Sequence, residues 1–325
     1  MRVTVLGGGL WGAVLAQHVS RRGDRVVVWE FVADVARRLQ RERTHANIPG
    51  LRLRAGVRAT NILAEALEGT EVLLVVLPSH HLRATAGRCR PLLKRGTLKA
   101  VVTASKGLER RTLRTMAEIL EEELGGLGAP VYAVSGPSFA REVARGVPTK
   151  LVLAGEGRLP PPGLKRLFDG GPVRLALSRD RRGVELGGAL KNVMAIACGL
   201  ADGLQLGANT KAAVLTEAMA EMERIVTGAG GDASTVRGLS GLGDLVLTGT
   251  SSQSRNRTLG EHLGGGEGLA QALKAVHTVA EGAESAEGAV QLARAVKVRA
   301  PLAEAVRAIL AGKKPPKALL TAAGF

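Results

Sequence analysis

Aromatic side chains are scarce in this chain: four Phe, two Trp and one Tyr among 325 residues. A core of ordinary size must therefore be packed from Leu, Val and Ala, with Trp11 and Trp29 as its large anchors. Cysteine is scarcer still. Cys89 and Cys198 lie far apart and form no Cys-x-x-Cys pair, which excludes a disulfide framework and suits a reducing, cytoplasmic setting. No apolar run reaches 18 residues, so no membrane span is expected. Acidic residues are outnumbered, 29 against 45 Lys and Arg, for a net charge of +16. That excess raises the question of nucleic acid. The chain, however, has neither basic blocks interleaved with aromatics nor metal-finger spacing, and arginines such as Arg37, Arg38, Arg41 and Arg43 scatter along helix-like stretches. The expectation is a solvated basic surface and no nucleic-acid partner, with attraction for anionic cofactors and phosphorylated substrates as a by-product.

A chain of this length fits two domains. Its first half alternates short apolar runs (Arg2–Leu6, Arg25–Trp29, Glu71–Leu77, Lys99–Ala104, Val131–Val134) with helical patterns (Ala13–Arg22, Leu108–Leu124, Phe139–Arg145). Continuous Val/Leu runs without alternation are the mark of buried parallel strands, and strand–helix alternation predicts a doubly wound parallel sheet. A further strand pair, Thr149–Ala154 and Pro172–Leu177, flanks "GEGRLPPPG", whose prolines are expected to exclude a helix. From about Gly183 the texture changes to Ala/Leu/Gly helices, predicted at Val184–Leu200, Lys211–Thr227, Gly268–Val276 and Ser285–Ala295. The expected division is a dinucleotide-binding domain at 1–183 and an all-helical substrate domain at 184–325.

"VTVLGGGLWGAVLA" sets Gly7, Gly9 and Gly12 in a G-x-G-x-x-G pattern between a strand and a helix. The apolar start resembles a signal peptide, but three consecutive glycines interrupt it and the strand–turn–helix reading needs those residues in place. In that reading the first glycine makes the turn, the second admits a pyrophosphate and the third lets helix and strand pack, the fingerprint of a Rossmann-type sheet. Glu30 follows Gly12 by 18 positions, at the end of the second strand. An acid there accepts hydrogen bonds from the adenosine ribose and repels a 2′-phosphate, which favours NAD over NADP. Arg37 and Arg38 lie near enough in sequence to leave NADP open.

Four charged residues stand out beyond the glycine turn. Lys106 follows a buried-looking strand in "TASKGLE". Lys191 sits inside an apolar helix, with Gly187, Gly188, Met194 and Ala195 as its neighbours on the same face. A lysine so placed either snorkels to solvent or needs a counterpart or a task. If both lysines face one pocket, repulsion and desolvation lower a lysine pKa toward neutrality, where it exchanges a proton. Asp244, in the polar stretch "GLSGLGDLVLTGTSSQSRN" at 238–256, would supply the orienting charge. Arg255 has the planar fork that grips phosphate or carboxylate, with Ser254 and Asn256 as neutral donors beside it.

In their order, GGGLWG at 7–12, PSH at 78–80, KGLE at 106–109, SGPSFA at 135–140, GALKNVMAIACG at 188–199, GLGDLVLTGTSSQSRN at 241–256 and VAEG at 279–282 resemble the NAD(P)-dependent glycerol-3-phosphate dehydrogenase family over nearly the whole chain. The resemblance implies hydride transfer between NAD(P)H and dihydroxyacetone phosphate, giving sn-glycerol 3-phosphate for phospholipid synthesis, in a cytoplasmic homodimer. It makes Lys191 the proton donor and acceptor, with Lys106 and Asp244 completing the catalytic group. Gly136, Ser138, Ser254, Arg255 and Asn256 become the remaining substrate residues, Arg255 on the phosphate. Gly7, Gly9, Leu10, Trp11, Gly12, Glu30, Phe31, Ala140, Val279 and Glu281 become cofactor positions, which Lys106 and Arg255 also touch. No metal is implied. The chain departs from the family at Phe31, where NADP users carry Arg or His, and at Asn47, where a tyrosine is usual. It departs again at Glu217, where arginine is usual, and at Gly249, where cysteine is common and the change is expected to be benign. Two rivals remain open from the residues: a hydroxy-acid dehydrogenase, and a basic nucleotide-sensing or nucleic-acid-binding protein without turnover.

Overall fold

The computed structural model describes residues 1–276 and 281–325. The chain forms two compact units, one of Met1–Ser105, Met116–Val134 and Ser138–Arg181, the other of Lys106–Thr115, Ser135–Pro137 and Arg182–Phe325. A single cut after residue 183 thus misses two short excursions, and both carry expected site residues.

The first unit is built on eight strands: β1 (Arg2–Leu6), β2 (Arg25–Trp29), β3 (Val57–Thr60), β4 (Val72–Val75), β5 (Ala100–Thr103), β6 (Val131–Ser135), β7 (Thr149–Ala154) and β8 (Val173–Ser178). They form one mostly parallel sheet in the order β3-β2-β1-β4-β5-β6-β7-β8. Val3 pairs with Val26 on one side and Val72 on the other, so β1 is central. The order reverses between β1 and β4, and the crevice outside the strand ends at such a reversal is where this class of sheet binds ligands. Because successive side chains point to opposite faces, β1, β2 and β4 each feed two cores. Val3, Val5, Val26, Val28, Val72 and Leu74 enter one cluster; Leu6, Val27, Trp29, Leu73 and Val75 enter another.

Two local expectations fail here, and one strand was not foreseen. The edge strand β3, with sequence VRAT and a half-exposed pattern, was not legible as a strand. The helix predicted at Leu108–Leu124 begins only at Met116. Residues 106–115 instead form an irregular turn closed by a Leu108–Thr115 bridge, with Leu113 in the left-handed region (φ 57°). The proline run does not exclude a helix: Pro162 begins one at Pro162–Phe168, where its missing N–H breaks no bond and its fixed φ suits the first turn.

The second unit is helical and packs around Arg181–Gly203. By length and composition that helix could cross a membrane, but its apolar window is wholly buried inside the protein. Glycine replaces aromatic bulk as the packing device. A Cβ on Gly199 would lie 1.9 Å from the Arg257 carbonyl oxygen, and one on Gly260 would lie 2.1 Å from that of Ile196. The helix Arg255–Gly264 therefore rests backbone against backbone on Arg181–Gly203. Elsewhere the fully buried Glu221 carboxylate accepts the N–H groups of Leu302 and Ala303, 2.8 Å each, and caps the helix Pro301–Leu310. A Cβ at Gly249 would lie 2.9 Å from Cys198 Sγ and 3.1 Å from Leu215 Cδ2, so the glycine leaves room for Cys198. Glu217 lies exposed on the helix Gly207–Gly228, and nothing in the structure explains its charge.

Candidate active site

The polar stretch 238–256 is not a flexible loop. Leu239–Gly243 makes one turn of π-helix, Asp244–Thr250 continues as α-helix, and a short link leads to Arg255–Gly264. Wide π-turns re-aim side chains and recur at functional sites. This one delivers Asp244 to the interior, 2% exposed, while Leu242 and Val246 face outward.

Asp244 joins both lysines. Its Oδ1 accepts a hydrogen bond from Lys191 Nζ at 3.0 Å, and its Oδ2 one from Lys106 Nζ at 2.5 Å. Lys191 therefore does not snorkel; it is 5% exposed and paired with Asp244. Gly187 and Gly188 lie against the assembly. A Cβ on Gly187 would stand 3.1 Å from the Ser240 carbonyl oxygen, and one on Gly188 would stand 3.6 Å from Cγ and Cδ of Lys106. Burial pushes Lys191 down to about 8, helped by the Lys106 charge and opposed by Asp244. Burial alone would raise Asp244, but the two ammonium groups and their hydrogen bonds outweigh it and hold the carboxyl below its usual range. The result is one carboxylate shared by two cations, one of them near enough to neutrality to exchange a proton at working pH.

A second chain of polar contacts adjoins Lys191. Asn192 donates from Nδ2 to Glu281 Oε2 at 3.1 Å and accepts at Oδ1 from Asn256 Nδ2 at 3.0 Å. Asn256 Oδ1 in turn accepts the Gly282 N–H at 3.0 Å. Asn192 was missed by the sequence reading, although its place beside Lys191 was the available signal. Ser254 caps its helix by accepting the Arg257 N–H at 3.2 Å, which leaves its own O–H to donate. Arg255 is the first residue of that helix and is exposed. Gly136 lies buried in the second unit with φ 130°, open only to glycine. Ser138 belongs to the first unit, as does Ala140. Val279 lies outside the described residues.

The glycine turn fits a dinucleotide. Gly7 has φ 103°, and a Cβ there would lie 2.4 Å from the Val76 carbonyl oxygen; a Cβ on Gly12 would lie 1.9 Å from that of Gly7. Above Gly9 the space is open, with no atom within 4 Å of a Cβ position. The helix Leu10–Val19 has no side-chain cap and no acid in its first turn, so its N-terminal amides suit a phosphate. Leu10, Trp11 and Ala140 pack half-buried against the same core cluster. Glu30 Oε2 accepts the Gly8 N–H at 2.7 Å, Oε1 accepts the Val32 N–H at 2.9 Å, and Phe31 is 73% exposed beside it. His45, also overlooked in the sequence, hydrogen-bonds the Gly8 backbone and accepts the Asn47 N–H at Nδ1, 3.2 Å. Burial lowers its pKa. Arg37 and Arg38, the residues that left NADP open, pair with Asp34 and Glu42 of their own helical segment.

A Rossmann-type sheet with a phosphate-ready glycine turn, joined in sequence to a helical unit holding a buried lysine–aspartate–lysine group, defines a nicotinamide-dependent oxidoreductase. Residues 2–158 match the N-terminal and residues 180–321 the C-terminal domain of NAD-dependent glycerol-3-phosphate dehydrogenase, and the chain belongs to that family. It is 45% identical over 319 residues to the glycerol-3-phosphate dehydrogenase [NAD(P)+] of Nitratidesulfovibrio vulgaris, covering 98% of this chain and 96% of that protein. The Geobacter metallireducens enzyme of the same name is 42% identical, covering 97% and 94%. The crystal structure of glycerol-3-phosphate dehydrogenase from Coxiella burnetii superimposes with a TM-score of 0.92 at 34% identity, covering 100% of this chain and 99% of that one.

Proposed function

We propose that this chain catalyses reversible reduction of dihydroxyacetone phosphate to sn-glycerol 3-phosphate, as a cytoplasmic homodimer supplying phospholipid synthesis. The observation that carries the residue roles is the shared carboxylate: Asp244 within hydrogen-bonding reach of both Lys106 and Lys191.

Gly7, Gly9, Leu10, Trp11 and Gly12 hold the dinucleotide at the strand-to-helix turn, Glu30 and Phe31 lie toward its adenosine end, and Ala140, Val279 and Glu281 complete its binding. When bound, its nicotinamide supplies the hydride that converts the C2 ketone to an alcohol. As C2 is reduced its oxygen gathers negative charge. Lys191 donates a proton to that oxygen, and Lys106 stabilises the developing charge electrostatically. Loss of the proton is tolerated because burial already brings Lys191 to about 8. In the reverse direction neutral Lys191 takes the proton from the alcohol. Asp244 keeps both ammonium groups oriented throughout. Arg255, Asn256, Ser254, Gly136 and Ser138 bind the remainder of the substrate, Arg255 through its fork on the phosphate.

Glu30 favours NADH, because a 2′-phosphate would bring two negative charges beside its carboxylate. The test is oxidation of NADH and NADPH with dihydroxyacetone phosphate beside a panel of 2-keto acids. Turnover of the phosphate ester with preference for NADH is expected; turnover of the keto acids alone would reject the reading in favour of a hydroxy-acid dehydrogenase.

A further inference from the structure

We infer that Ser135 is a specificity-determining residue whose hydroxyl binds the primary C1 hydroxyl of the substrate. The inference rests on the proposed reaction. Among the described residues, Ser135 Oγ is a buried side-chain oxygen without a hydrogen-bond partner, and the residue is 7% exposed. A hydroxyl withheld from water in this way carries a desolvation cost unless a ligand satisfies it. Its place is narrowly fixed. Ser135 Oγ lies 2.8 Å from the point a Cβ on Gly188 would occupy, and Cγ and Cδ of Lys106 lie 3.6 Å from that same point. Gly188 is one helical turn before Lys191, on the same face. The lone hydroxyl, the stem of Lys106 and the root of the Lys191 face thus ring a single position. An alanine at 188 would collide with the serine oxygen.

Chemistry selects the ligand group. The substrate offers a phosphate dianion, a C2 oxygen that turns anionic, and one neutral hydroxyl at C1. The cations Arg255, Lys191 and Lys106 are matched to the two anionic groups. A serine O–H, neutral and able both to donate and to accept, is matched to the third. Sites that hydrogen-bond a substrate hydroxyl reject analogues lacking it far more strongly than apolar pockets reject an extra group, because the protein partner is left unpaired.

The experiment compares dihydroxyacetone phosphate with its 1-deoxy analogue, acetol phosphate, in wild type, Ser135→Ala and the near-isosteric Ser135→Cys. Wild-type turnover of dihydroxyacetone phosphate tests the underlying reaction separately. The expected result is a loss of kcat/KM of about 10- to 100-fold with dihydroxyacetone phosphate in both variants, and a change under twofold with acetol phosphate. Ser135→Ala should melt no lower than wild type without ligand, since an unpaired buried group is removed. Equal losses with both substrates would mean that the hydroxyl holds a water or a protein group, and would overturn the inference. Unchanged kcat/KM with dihydroxyacetone phosphate would overturn it as well.

Discussion

Replacing Asp244 by asparagine keeps the size and one hydrogen-bond acceptor but removes the negative charge from between two ammonium groups. Lys191 is 5% exposed and Asp244 2%, so solvent cannot screen the change. Leaving one partner of a buried ion pair unpaired costs about 3–5 kcal/mol. The escape route is loss of the Lys191 proton. Driving a lysine of ordinary pKa to its neutral form at pH 7 costs about 1.36 kcal/mol per unit, again roughly 4–5 kcal/mol. Both routes predict a similar deficit at pH 7, and its pH dependence identifies the cause. Wild-type Lys191 has a folded pKa lowered to about 8, and without Asp244 it falls further. Between the two folded values the unfolded variant binds one proton more than the folded variant, whereas in wild type the counts are equal. The variant's stability therefore rises with pH there by about 1.4 kcal/mol per unit, and its deficit shrinks as pH approaches 8. Urea denaturation at half-unit steps from pH 6 to 9 measures this. In the proposed reaction the same proton governs catalysis: ketone reduction needs charged Lys191, so its falling limb, near pH 8 in wild type, should move to lower pH in Asp244→Asn. A deficit below about 1 kcal/mol, or one constant from pH 6 to 8, would refute the shared-carboxylate reasoning.

Glu221 offers a stability test of opposite sign. Burial raises its folded pKa from 4.5 to about 7, so the stability it contributes is complete below pH 4.5 and is lost as pH rises through 7. The loss is about 3 kcal/mol, and Glu221→Gln should abolish that portion of the pH dependence in denaturant titrations. Glu30→Gln removes the charge proposed to face the ribose while leaving an acceptor for the Gly8 N–H. NADPH kcat/KM should rise about tenfold relative to NADH, a change of ~1.4 kcal/mol; an unchanged ratio would place cofactor choice elsewhere. Gly199→Ala forces a methyl group to within 1.9 Å of the Arg257 carbonyl oxygen. It should destabilise the protein by about 1–3 kcal/mol or more, with KM for the substrate raised because Arg255 and Asn256 begin the helix that must shift.

Much of the sheet was legible because buried parallel strands are written as bare Val/Leu runs; β1, β2 and β7 fall at the expected residues. The edge strand β3 escaped because Val57–Thr60 is short and half exposed. The helical reading of 108–115 failed for a different reason: Lys106–Thr115 takes its conformation from the second unit, through Leu108 in that unit's core and a Thr115 hydroxyl on Glu185, and no local period records such a tertiary demand. The same limit applies to 238–256. Its glycines and hydroxyls look like a loop in one dimension, yet Gly241 is small because a Cβ there would lie 2.0 Å from the Val236 carbonyl oxygen. Lys191 was legible as anomalous, being charged on an apolar helix face. Asp244, 53 residues away, suggested itself as the orienting charge, but no local pattern records the pairing. Asn192 was legible only through its place beside Lys191 and Ser135 only through the SGPSFA motif, while His45 carried no signal and is singled out by its hydrogen bonds alone.

The central claim is that Lys191 moves the proton at the substrate's C2 oxygen. Its most direct test is the single-turnover rate of NADH oxidation by dihydroxyacetone phosphate in wild type and Lys191→Ala, with NADH affinity measured in parallel by fluorescence. Unchanged NADH binding is expected, with a rate lower by about 10²- to 10⁴-fold. A variant that binds NADH normally and still turns over within a few-fold of wild type would contradict it.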